Sequence, residues 1–368
     1  VDNEQKNSGS SRVLSIDALR GFDMFWIIGG GALFESLVKI WDLPVTRTIK
    51  EQLDHVQWEG FHFEDLIFPL FVFVVGAVLP FSLSGRVERQ GLARVHLHVI
   101  KRTAGLILLG LIFNGLLNFE WSHMRWPGVL QRIGLCYFFA ALLVIHTKWR
   151  TQAIVAAAIL VLYCAVTMLI PAPGYAAGDL TMKGCLSSYV DQQLIPGELY
   201  YKYGDNEGLL STLPAICTAL LGALAGHWLR SNRTGPRKTA GLSLAGVACL
   251  VAGLLWSLVF PIIKILWTSS YVLFAGGWSL LLLALFYWVI DVKGYRRWAY
   301  FFVVIGMNAI AIYFLQRFVD FEAITEFFLG GLAKHAGLIA PLLLPFGALM
   351  IRWLLLHFLY RHRVFLKV

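Results

Sequence analysis

The chain has 368 residues, of which 58% are hydrophobic and only 14% charged, and its mean hydropathy is +0.68. Soluble domains average roughly 45–50% apolar and about 25% charged residues, so this composition excludes an ordinary soluble enzyme and indicates a polytopic membrane protein. The net charge of +9 does not call for nucleic acid, because the basic residues sit between apolar segments, where membrane orientation accounts for them.

Residues 1–12 are polar and rich in Ser and Asn, and they lack the apolar core of a signal peptide. They are expected to form a disordered cytoplasmic tail ahead of a single transmembrane domain over 13–368. A span needs roughly 20 apolar residues. Such segments fall at about 14–37, 62–84, 101–119, 128–147 and 152–170, then at about 208–229, 239–260, 267–290, 298–317 and 338–360. The expected fold is therefore all-α with about ten transmembrane helices, and the stretch 318–332 reads as an extra interfacial helix. Gly29-Gly30-Gly31, Gly105, Gly110, Gly222 and Gly226 suit close helix packing. No internal repeat of 20–50 residues is evident. The five cysteines include no CxxC spacing, which supports neither a disulfide framework nor a zinc site.

The loops alternate in charge. Arg86, Arg89 and Arg94 follow the second span, Lys148 and Arg150 the fourth, Arg230, Arg233, Arg237 and Lys238 the sixth, and Lys293, Arg296 and Arg297 the eighth. Every second loop is basic, so by the positive-inside rule these loops and both termini face the cytoplasm. The long loops at 38–61 and 171–207 then face outward, and loops of that length between spans commonly carry function.

One outward stretch concentrates chemistry. Residues 54–69 hold two histidines, four carboxylates and a tryptophan at the start of an apolar run. Ionisable groups crowded at a membrane boundary are costly and usually mark a site. Were 54–65 helical, His55, Glu59 and His62 would share one face. No HExxH pattern is present and Gly60 interrupts the turn, so no metal is expected. An imidazole titrating near pH 6.5 suits acid–base or nucleophilic work at His55, with Asp54 or Asp65 to orient it. Elsewhere, Asp17 and Arg20 are three apart and form either a helix pair or, through Arg20, an anion site open to the cytoplasm. Gln131 and Arg132 lie just inside the fourth span after Pro127-Gly128. Glu207 enters the sixth span, and Asn308 sits mid-span, where an amide needs partners.

Taken in order, these stretches resemble the transmembrane acetyltransferases related to heparan-α-glucosaminide N-acetyltransferase. The matching pieces are Ser15-Ile16-Asp17-Ala18-Leu19-Arg20-Gly21, Asp54-His55-Val56-Gln57-Trp58-Glu59-Gly60, Asp65-Leu66-Ile67-Phe68-Pro69 and Pro127-Gly128-Val129-Leu130-Gln131-Arg132. Glu207-Gly208, Leu266-Trp267-Thr268-Ser269-Ser270-Tyr271 and Gly306-Met307-Asn308 complete the series. The resemblance implies transfer of an acetyl group from cytoplasmic acetyl-CoA to the amine of a glucosamine-type sugar on the far side, without a metal. It places the family's active histidine at His55, beside which Asp65 or Asp54 is the carboxylate expected from the residues themselves. Arg20, Gln131, Arg132, Asn308, Lys101 and Arg102 are then expected toward acetyl-CoA, and Trp58, Glu59, His62 and Glu207 toward the sugar. The implied setting is a bacterial inner membrane, with a small amino sugar and the lipid bilayer as partners, no nucleic acid, and a homodimer left open. A hydrocarbon core roughly 30 Å thick exceeds the reach of a pantetheine arm, so a cavity between helices must admit the thioester. The competing class is an N-acetylglucosamine or amino-sugar transporter without chemistry. Paired discontinuous spans, which transporters usually show, are not evident in the sequence.

Overall fold

The computed structural model describes residues 13–366, so the tail expected at 1–12 lies outside the described residues. The described chain is helices and connecting loops with two isolated β-bridges and no strand. In order the helices are α1 (Leu14–Phe25), α2 (Gly31–Ile40), α3 (Pro44–Leu53), α4 (Glu64–Gln90), α5 (Leu92–Phe113), α6 (Val129–His146), α7 (Trp149–Leu169) and α8 (Leu186–Leu194). They continue with α9 (Leu209–Arg230), α10 (Gly235–Ser257), α11 (Ser269–Phe286), α12 (Ala299–Met307), α13 (Ala309–Leu315), α14 (Phe321–His335) and α15 (Ala340–Arg361). Among the described residues, nine helical stretches are long and apolar enough to cross a membrane. The protein is an all-α, multi-pass membrane protein.

The ninth expected span, 298–317, is present as two short helices. The backbone leaves the helix at Asn308 (φ −127°, ψ 32°) between α12 and α13. Its side chain explains why the break is tolerated. Nδ2 donates to the Val364 carbonyl at 3.0 Å and Oδ1 accepts from the Leu366 N–H at 3.1 Å, so the amide is satisfied by the C-terminal segment. The first span is broken as well. A π-turn at Trp26–Gly30 joins α1 to α2, and Gly29 stands at φ +124°, a conformation only glycine adopts cheaply. The glycine run read as a packing surface is thus a hinge between helices. The two discontinuous spans depart from the unbroken helices that the sequence suggested.

Glycines do mediate packing elsewhere. Gly21 of α1 lies against the Phe302 carbonyl of α12, and Gly306 of α12 lies against the Asp17 carbonyl of α1. A Cβ at either position would overlap backbone, so this pair requires small residues. Gly76 and Gly222 do the same between α4 and α9, the two most enclosed spans. We call the end of the bundle that bears loops 38–61 and 171–207 the outer end, and the end that bears the basic loops the inner end.

Candidate active site

Residues 54–63 are not helical; α4 starts only at Glu64. The one-face arrangement of His55, Glu59 and His62 therefore does not form. Gly60 takes φ +121°, and the loop turns there to dock on the segment between α10 and α11. Gly60 N–H donates to the Ile262 carbonyl at 2.9 Å, and Glu59 bridges Ile263. Docking brings Lys264 to His55.

The centre of the arrangement is the Asp65 carboxylate, in the first turn of α4, where the helix dipole favours a negative charge. Oδ1 lies 3.0 Å from His55 Nδ1, and Oδ2 accepts from the backbone N–H of His62 (3.0 Å) and Val56 (3.3 Å). Tyr271, buried on α11, donates its hydroxyl to the Asp65 carbonyl at 2.8 Å. The Asp65 side chain is 2% exposed whereas that of His55 is 58% exposed. A fixed, buried carboxylate thus holds an accessible imidazole. With Nδ1–H donated to Asp65, Nε2 is left as the acceptor nitrogen, 3.4 Å from Lys264 Nζ. Lys264 Nζ is 3.3 Å from Asp65 Oδ1 and 3.1 Å from His55 Nδ1, closing a triangle. Burial holds the Lys264 ammonium below the usual lysine range, against the pull of Asp65.

His55 and Lys264 line an outer cavity of about 290 Å³, together with Glu64, Arg125, Tyr200, Asn206, Glu207 and Tyr313. Its far wall is an ion cluster. Arg125 donates from Nε and Nη2 to Asp205 at 2.8 and 2.5 Å and also pairs with Glu207, while its guanidinium stacks on Tyr200 at 4.8 Å. Burial opposes ionisation of Asp205, but the bonds from Arg125 outweigh it and hold the carboxyl below its ordinary range. Behind this wall Asp191 accepts the Leu209 N–H at 2.9 Å at the start of α9, and burial pushes its pKa up to about 6.

A second, inner cavity of about 740 Å³ is lined by Arg20, Arg86, His98, Lys101, Arg102 and Tyr137, and among the described residues no Asp or Glu lines it. Arg102 stacks on Tyr137 at 4.6 Å, and Arg20 has Asp17 beside it at 3.5 Å. The cavity's charged lining suits an anion.

Of the residues singled out in sequence, His55 and Glu207 line the outer cavity and Arg20, Lys101 and Arg102 the inner one. Asp65, rather than Asp54, is the carboxylate at His55. Asp54 instead lends its carbonyl to the His62 ring at 2.8 Å, bracing the loop. Trp58 donates Nε1 to the Leu180 carbonyl at 3.1 Å and packs near Cys185 and Ile263. Trp58, Glu59, His62 and Asp54 lie outside the cavity lining. Gln131, Arg132 and Asn308 line neither cavity. Gln131 donates to the Trp126 carbonyl at 3.1 Å, and Arg132, 1% exposed, holds Gly208 and Ser211 of the α9 start beneath Trp267. These three fasten helix ends.

Sequence reasoning missed Lys264, Glu64 and His98. Lys264 had a readable signal, being the one charged residue between Lys238 and Asp291. A solitary charge in so apolar a stretch marks a functional position by default.

Residues 12–178 match the family model of a domain of unknown function (DUF5009). The chain is 27% identical over 376 residues to the heparan-alpha-glucosaminide N-acetyltransferase of Mus musculus, covering 84% of this chain and 54% of that protein. It is also 27% identical over 368 residues to the Homo sapiens protein of the same name, covering 82% and 52%. The chain spans about half the length of these curated relatives. The chain is thus a multi-pass membrane protein similar to those N-acetyltransferases over more than four-fifths of its own length.

Proposed function

We propose that the protein transfers an acetyl group from acetyl-CoA, held in the inner cavity, to the amine of a glucosamine-type sugar in the outer cavity. The observation that carries this reading is the His55 imidazole, held by buried Asp65 and exposed in one cavity that backs onto a second whose charged lining residues are cations. The relatives' name, an N-acetyltransferase of a glucosaminide, agrees with it. The basic loops at the inner end favour a cytoplasmic donor, and hence a bacterial inner membrane with the sugar on the periplasmic side.

On this reading Asp65 accepts Nδ1–H and fixes the His55 tautomer, so that Nε2 serves as the base. The sugar amine attacks the thioester carbonyl, the C–N bond forms and the C–S bond breaks. The amine proton passes to Nε2 and from there to the departing thiolate. The alternative order, acetyl first to Nε2 and then to the amine, uses the same groups and is distinguished by ping-pong kinetics. Lys264, which lines the same cavity, is the cation available to the negative charge that would develop on the carbonyl oxygen. Glu64 and Glu207 supply acceptors for sugar hydroxyl and amine protons. The outer cavity is at the small end of ligand pockets, which favours a monosaccharide over a long glycan chain.

The test is transfer of labelled acetyl from acetyl-CoA to a panel of amino sugars by the detergent-purified protein, with His55→Ala as control. Transport without chemistry is the second reading, favoured by the two broken spans. Uptake of labelled amino sugar into proteoliposomes, with no acetylated product, would establish it instead.

A further inference from the structure

The two cavities meet at three side chains. Phe71 of α4, Ile133 of α6 and Ile310 of α13 line both, and the order of lining residues along each helix places them at one level. On α4, Glu64, Ile67 and Phe68 face outward of Phe71, while Val75, Val78 and Arg86 face inward. On α6, Val129 and Leu130 precede Ile133 in the outer cavity, and Tyr137 follows it in the inner one. On the broken span, Met307 and Ala309 lie inward of Ile310, and Tyr313 lies outward. On α1, Arg20 is inward, and Met24 and Ile27 are outward. At 1.5 Å per residue the shared level lies about 10 Å from Glu64 and about 22 Å from Arg86 along α4.

We propose that Phe71, Ile133 and Ile310 form an apolar collar that sets which acyl groups reach His55. This rests on the acetyltransferase reading above. Phosphates cannot cross an apolar ring without losing their solvation, so the nucleotide stays among the inner cations. The neutral thioester arm is the part that passes. The acyl group must clear the collar and then share the small outer cavity with the acceptor. Each added methylene meets closely packed walls, because Phe71 and Ile133 are 5% and 3% exposed. Discrimination per methylene in such a pocket runs about 10–200-fold. Ile310 is the softest point of the ring: it is half-buried and sits in the first turn after the break at Asn308.

The experiment uses the full chain in proteoliposomes with acetyl-, propionyl- and butyryl-CoA and one amino sugar. The parent is expected to prefer acetyl over butyryl at least tenfold in kcat/KM. Phe71→Ala and Ile310→Ala are expected to raise the butyryl-to-acetyl ratio at least tenfold, with inhibition by free CoA within threefold of the parent. Ile310→Val, which removes one methylene, serves if the larger truncations fail to fold, and should move the ratio in the same direction. Ratios within threefold of the parent in folded variants would overturn the collar. Absence of any transfer by the parent would overturn the acetyltransferase reading instead. A turnover-independent arm then still tests the collar: Ile67→Cys should resist a small charged thiol reagent added at the inner end, and become labelled when combined with Phe71→Ala. Equal labelling with and without Phe71→Ala also removes the collar.

Discussion

The outer and inner cavities are built on opposite electrostatic plans. In the outer one, charges of both signs are already matched: Asp65 with His55 and Lys264, Arg125 with Asp205 and Glu207. In the inner one, Arg20, Arg86, Lys101 and Arg102 line the space with no carboxylate in the lining among the described residues, and of these four only Arg20 has a carboxylate, Asp17, in a salt bridge among the described residues. A site that performs chemistry on a neutral bond needs fixed dipoles and a poised base, which internal pairing provides. A site that holds a polyanion is best left short of negative charge until the ligand arrives.

The comparison breaks most sharply at His55. His55→Ala is expected to lower acetyl transfer by about 10²–10⁴-fold, the range of a general base, and by more if the histidine carries the acetyl group. Acetyl-CoA binding, measured by calorimetry, should stay within threefold. Activity within about threefold of the parent would take the base role away from His55.

Arg125→Ala attacks the outer pairing directly. Removing one partner of a buried ion pair costs about 3–5 kcal/mol, so the melting temperature should drop well beyond that of a surface Arg→Ala control. The loss should also depend on pH. Asp205 is held below its unfolded pKa, so its contribution is present above the ordinary carboxylate range and disappears as pH falls. Parent and variant melting curves should therefore converge as pH falls below the ordinary carboxylate range. Parallel curves across that range would show that Arg125 does not stabilise the ionised carboxylate.

Arg20→Ala tests the inner plan. A charge-assisted contact is worth about 1.5–3 kcal/mol, so acetyl-CoA affinity should fall at least tenfold, with a weaker response to added salt. Unchanged affinity in a folded variant would assign Arg20 to helix packing with Asp17.

The smallest effect is expected at Asp191. Its folded pKa of about 6 exceeds the unfolded value of about 3.9. Between these values the folded state binds more protons, so this group makes the protein more stable as pH falls from about 6 to about 4. Asp191→Asn keeps an acceptor for the Leu209 N–H and removes the titration. The gain in melting temperature between pH 7 and pH 5 should shrink in the variant. An unaltered gain would place its origin in another group.

The sequence disclosed what depends on local pattern. Apolar length revealed the spans, and the crowding of His55, Glu59, His62, Glu64 and Asp65 at one boundary pointed to the outer end. Which carboxylate serves His55 depended on the loop turning at Gly60, and a helical reading of 54–65 misses that turn. The Gly29–Gly31 run was visible, but packing and hinge demand the same residue, so its role was not. Gln131, Arg132 and Asn308 were conspicuous as polar residues in apolar spans. Their partners, Trp126, Gly208 and the 364–366 segment, are invisible to spacing because they lie across helices or at the other end of the chain.

The docking of Glu59 on Ile263 also bears on how the protein is made. His55 and Lys264 stand 209 residues apart, so their meeting closes a loop through most of the spans and belongs late in folding. The stretch 12–178 that matches a family model supplies His55, Asp65 and Arg125 but neither Lys264 nor Glu207. A nascent chain inserted only that far holds a base with no cation beside it and a guanidinium whose two carboxylates are still on the ribosome side. On the acetyltransferase reading the centre is complete only once Lys264, between α10 and α11, has reached His55 and Asp65.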